Sequence, residues 1–149
     1  MQTTSKIFVS CLFCLALVLV SGCIGTPSMS TAEREKADKI IADHGKKSLA
    51  VYLMDVPSDA DAEMVLKYTK YFVSKGADVK EKVRSGGINY PLLYCAVMDD
   101  NLEVAKFLVS KGVDVNEKSS GGRTILDFAV GHELCSERMK KYLESVGAK

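Results

Sequence analysis

Pro91 to Asn116, PLLYCAVMDDNLEVAKFLVSKGVDVN, holds two apolar runs separated by Asp99-Asp100-Asn101 and closed by Gly112. Ala96 and Val97 lie before the break, and Leu102, Val104, Ala105, Phe107, Leu108 and Val109 follow it. Apolar recurrence at about every third to fourth position on both sides of a short polar break predicts two short antiparallel helices. Gly112 predicts the end of the second, because the residue after a helix commonly takes a left-handed backbone that glycine adopts without steric cost.

Working outward, Tyr71-Phe72-Val73-Ser74-Lys75-Gly76-Ala77-Asp78-Val79-Lys80-Glu81-Lys82 matches Phe107 to Lys118 at nearly every position, 36 residues later. Pro91 to Val97 maps onto Thr124 to Val130, 33 residues later, and Met139 to Ala148 echoes Val104 to Val113, 35 residues later. The difference between 36 and 33 implies a three-residue insertion between Val83 and Asn89. Self-similarity at this period marks a repeat architecture in which each unit buries its apolar face only against its neighbours.

The helix–turn–helix unit, the Lys111-Gly112-Val113-Asp114-Val115-Asn116 stop, Asn101-Leu102-Glu103-Val104-Ala105-Lys106 and the opening Thr124-Ile125-Leu126-Asp127-Phe128-Ala129 together resemble the ankyrin repeat. The resemblance covers Ser48 to Lys149. It implies an all-α array of about three repeats: a divergent one over 48–82, a full one over 83–118 and a C-terminal capping one over 119–149. It also implies projecting turns with Gly86-Gly87 and Gly121-Gly122 at their bends. Pro91 and Leu92 depart from the usual Thr-Pro opening, and Tyr94 and Asp127 replace the usual histidine. Asp127 can still bond backbone amides, whereas Tyr94 suits that role less well and implies a unit held by packing.

Ahead of the repeats, residues 31–47 predict a capping helix, with Thr31 as its cap, Glu33 and Glu35 in its first turn, and His44-Gly45 at its end. Ser48 to Val56 reads as a helix closed by Pro57, with Asp59 or Asp61 capping the next, Ala62 to Lys75. Tyr68, Tyr71, Phe72, Phe107 and Tyr142 fall at core spacing on the second helices.

Residues 1–22 stand apart. Lys6 precedes an apolar run, Ile7 to Val20, that is short of the roughly 20 residues a bilayer span needs. The run ends in Val20-Ser21-Gly22-Cys23, which resembles the bacterial lipoprotein signal. That resemblance implies cleavage before Cys23, acylation of its thiol, and a membrane tether through a linker over residues 23–30; Ile24, in place of an acidic residue, implies the outer rather than the inner membrane. Ordinary secretion and an uncleaved anchor are the alternatives. This leader also carries much of the 47% hydrophobic content, and the mean hydropathy of +0.05 reflects it. Cys11 and Cys14 lie inside it, so their C-x-x-C spacing is discarded as a redox or metal motif.

Of 20 lysines and arginines against 19 aspartates and glutamates, only Lys6 falls in the leader, so the rest of the chain is neutral in formal charge. Neutrality gives little steering toward nucleic acid. Nothing in the sequence points to a cofactor, a metal or a small-molecule substrate.

His132-Glu133-Leu134-Cys135 is the one cluster that suggests chemistry, a base three residues from a thiol. It lacks an orienting third residue, and a metal site would need three or four ligands. Cys95 and Cys135 read as small buried side chains, with a bridge between them left open. The reading from sequence is therefore a non-catalytic, membrane-tethered module that binds a protein partner as a scaffold or as an inhibitor or immunity protein. A thiol enzyme using Cys135 and His132, and a purely structural envelope lipoprotein, are the alternatives. The expected partner-binding residues sit on the two turns: Glu81, Lys82, Arg84, Asn89 and Tyr90 on the first, and Glu117, Lys118, Ser119, Ser120 and Arg123 on the second.

Overall fold

The computed structural model describes residues 29–57, 59–131, 133 and 135–149. The leader, Cys23, most of the linker and His132 lie outside the described residues.

Helix α1 (Thr31–His44) begins one residue earlier in function than expected. Ser30, not Thr31, is its cap: the Ser30 hydroxyl accepts from the Glu33 amide at 3.3 Å, and the Glu33 carboxylate accepts from the Ser30 amide at 2.6 Å. This reciprocal box satisfies two amides that the first helical turn leaves free. Glu33 also takes Lys67 at 3.0 Å, and these bonds, led by that from the Ser30 backbone, hold its carboxyl down to about 2.

Three helix pairs follow: α2 (Ser48–Asp55) with α3 (Ala62–Ser74), α4 (Leu92–Met98) with α5 (Leu102–Ser110), and α6 (Ile125–Gly131) with α7 (Glu137–Ser145). Asp61, Asn101 and Ser136 cap the second helix of each pair. Helix α1 packs on both α2 and α3, burying Ala37 and taking the Tyr71 hydroxyl on Asp38 at 2.7 Å.

The units match in bonding as well as in sequence. Ser74, Ser110 and Ser145 each donate to the carbonyl three residues earlier, and Asp78 and Asp114 each accept from the amide two residues later. Behind α5, Gly112 (φ 84°) lets its own amide reach Val109 and the Val113 amide reach Leu108. This pair of bonds satisfies carbonyls that the helix end would leave open, and the same pair recurs at Gly76 and Gly147.

Packing explains why the inner helices differ in composition. Leu92 to Val97 are all buried in α4, because this helix has neighbours on both sides, and a helix covered all round can be apolar all round. In α6 only Ile125 and Ala129 are buried. Val97 and Val130, equivalent by the 33-residue repeat, are 0% and 68% exposed. Tyr68, Tyr71 and Phe72 join the core as expected, and Tyr142 packs against it half-buried; Phe107, expected at core spacing, is half-buried with the Lys111 ammonium 5.3 Å from its ring centre.

The array is the all-α, ankyrin-type architecture expected, with one regular strand pair among the described residues. Strands β1 (Lys82–Ser85) and β2 (Ile88–Pro91) form an antiparallel hairpin in which Ser85 faces Ile88 and Lys82 faces Pro91. Gly86 and Gly87 make its two-residue bend with φ of 56° and 82°, the all-positive pair that matches the twist of the strands. The hairpin occupies the segment that carries the three-residue insertion.

A methyl group at Gly112 would meet nothing within 4 Å, so Gly112→Ala isolates the cost of a left-handed backbone in an L-residue. The expected loss is about 1–2 kcal/mol, read from the urea midpoint with helicity unchanged in native buffer.

Candidate functional site

Two connections run from the outer helix of one pair to the inner helix of the next: the β1–β2 hairpin and the loop over 114–124. They are bonded to each other. The Ser120 amide donates to the Asn89 carbonyl at 2.9 Å, and the Asn89 amide donates back to the Ser120 hydroxyl at 2.8 Å. Lys82 pairs with Glu117 at 2.7 Å. At Gly121 an added methyl would meet Ile88 at 3.4 Å, so the second loop lies close against the hairpin.

Tyr94 has a polar role that sequence reasoning missed. Its hydroxyl donates to the Arg123 carbonyl at 2.6 Å, and the same carbonyl accepts the Ser119 amide at 3.0 Å. In place of an internal tie, Tyr94 therefore links its own unit to the next loop. Asp127 does bond backbone as expected: it accepts from the Thr124 amide, and Thr124 accepts from the Asp127 amide, both at 3.1 Å.

The ten expected contact residues separate accordingly. Arg84, Lys118 and Arg123 are exposed. Asn89, Ser120, Lys82 and Glu117 join the two connections to one another, and Glu81 approaches Lys47 at 3.8 Å, a separation worth little at a surface. Ser119 is buried inside its own turn, which corrects its assignment as a tip residue. Tyr90 is half-buried, its ring 5.4 Å from Tyr94 and 6.4 Å from Phe128.

Tyr90 belongs to a groove of about 350 Å³. Leu53, Met54 and Val56 come to it from α2 and its end, and Tyr94, Cys95, Met98 and Asp99 from α4 and its cap. Phe128 comes from α6, and Val83, Ser85 and Tyr90 from the hairpin. Met54 and Met98 are 49% and 52% exposed, an uncommon state for large apolar side chains lying together. The sequence signal that could have found them is their place in the last turn of successive inner helices.

The Cys95 and Cys135 thiols are free, buried and disarmed. Burial pushes Cys95 up to about 12, and burial, reinforced by Asp100, raises Cys135. A nucleophilic thiol needs the opposite shift. Among the described residues, no group of three or more His, Cys, Asp and Glu side chains is gathered to hold a metal, and no helix is long and apolar enough to cross a membrane.

Stacked helix pairs, glycine stops and projecting connections define an ankyrin-type repeat array. Residues 92–143 match the family model described as ankyrin repeats (many copies), a class of protein-interaction module. Comparison with curated proteins yields no match.

Tyr94→Phe keeps the ring and removes the bond to Arg123, and is expected to cost about 1 kcal/mol in urea denaturation. For the thiols, Cys95 should resist iodoacetamide at pH 8 until the chain is unfolded. Its raised value favours the folded state fully below pH 9, where both states hold the proton, and that contribution is lost as pH rises from 9 toward about 12. A urea midpoint that falls over this range, and falls less in Cys95→Ala, is the expected result.

Proposed function

We propose that this chain is a non-catalytic protein-binding module held at the bacterial cell envelope by acyl groups on Cys23, acting as a scaffold or as an inhibitor or immunity protein. The observation that carries the binding reading is the groove at Tyr90, where exposed Met54 and Met98 lie beside an aromatic cluster. Methionine side chains adapt to a partner's shape, and aromatic side chains supply large contact area.

The envelope reading rests on Val20-Ser21-Gly22-Cys23 after an apolar run. Acyl chains contribute about 0.8 kcal/mol per buried methylene, and stable anchoring takes more than one chain. The partner would then meet the module near a membrane surface, with the outer membrane as the address that Ile24 favours. Against the thiol-enzyme alternative stand the buried, raised thiols of Cys95 and Cys135.

Cross-linking in intact cells followed by pull-down of the full chain tests the binding reading. Tyr90→Ala with Met98→Ala should lower partner capture at least tenfold while the circular dichroism spectrum holds. Undiminished capture would refute the groove. For the tether, Cys23→Ser should abolish palmitate labelling and move the protein from the detergent phase to the aqueous phase; a labelled, detergent-partitioning variant would overturn acylation at that site.

A further inference from the structure

Asp99 is the one charged side chain among the described residues that line the groove. It is half-buried and lines a cavity that is otherwise mostly apolar. Its backbone amide caps α4 by donating to Cys95 and Val97, but among the described residues its carboxylate has no hydrogen bond or ion pair. Among the described residues, no lysine, arginine or histidine lines the groove.

Its position makes matters worse for an isolated carboxylate. Asp99 follows the last turn of α4, at the end of the helix dipole that repels negative charge. Helix α2 ends at the same groove, through Leu53, Met54 and Val56. Two helix C-termini and one carboxylate therefore give the groove a negative potential, and burial separately raises the Asp99 carboxyl. A cation placed there would meet all three sources of that potential at once.

We propose that the groove receives a lysine or arginine side chain of the protein partner, its aliphatic stem lying along Met54, Met98 and Tyr90 and its charged head on Asp99. This rests on the protein-binding reading of the same groove. Long cationic side chains bury their methylene stems against apolar surface while the head keeps a polar partner. The dimensions suit such a side chain with one apolar neighbour, since about 350 Å³ is at the small end of ligand-sized cavities. Charge-assisted bonding to the carboxylate supplies the selectivity that the apolar walls lack.

The test is selection of phage-displayed random dodecapeptides on the full chain in detergent, with selected peptides then measured against Asp99→Asn. The substitution keeps the side-chain shape and removes only the charge. Enrichment of lysine or arginine next to an apolar residue, with binding at least tenfold weaker to Asp99→Asn at an unchanged melting temperature, is expected. Peptides without cationic enrichment, or with equal affinity for both chains, would overturn the proposal, as would failure to select any peptide. In cells, partner capture lost in Tyr90→Ala with Met98→Ala but undiminished in Asp99→Asn would also overturn it, while leaving the groove as a protein-binding site. Loss of neither would sink both readings.

Discussion

The turn at Asp100-Asn101 holds the array together, because its two side chains reach in opposite directions. Asp100 accepts from both the amide and the hydroxyl of Ser136, at 3.0 and 2.9 Å, and Ser136 in turn caps α7. Asn101 donates to the Ala62 carbonyl at 3.4 Å, at the start of α3, while accepting from the Val104 amide at 3.1 Å. The start of each neighbouring outer helix is thus referenced to one turn. Asp100 adopts a φ of 50°, a left-handed value that aspartate tolerates better than most side chains. Apolar burial supplies the driving force between units, but it is non-directional; these bonds set the register.

A second set of links runs along the opposite edge, where the Ser120 amide bonds the Asn89 carbonyl, the Asn89 amide bonds the Ser120 hydroxyl, and Tyr94 reaches Arg123. Because the two edges are tied independently, α4 and α6 cannot shear past each other without breaking one set. That rigidity is what allows residues from α2, α4, α6 and the hairpin to share one groove. Preorganised side chains lose less entropy on meeting a partner than a mobile surface would.

Periodicity and glycine placement made the helix pairs legible, since both follow from local backbone and burial requirements that repeat at a fixed interval. The first cap was misplaced by one residue because Ser30 and Thr31 are both good caps, and Glu33 selects Ser30 through a three-residue spacing. The groove was legible only through Tyr90. Leu53, Met98 and Phe128 are far apart in sequence, and their meeting depends on how the pairs stack. Tyr94 looked like a defect against the family pattern because its partner, the Arg123 carbonyl, is a backbone atom in another unit, which no side-chain pattern reports. Ser119 resembled its exposed neighbours in composition, and only the turn's own hydrogen bonds distinguish it.

Phe128 gives the groove a wall that belongs to the α6–α7 pair, whose inner helix leaves Val130 at 68% exposure. In a linear array each unit is held through the interfaces it makes with its neighbours, and local opening begins where those are weakest. A side chain seated between α4 and α6 would add contacts to the interface that holds this pair to its neighbour, so occupancy and local opening of the pair oppose each other. The α6–α7 pair then behaves as a latch, and its protection from hydrogen exchange reports whether a partner is present.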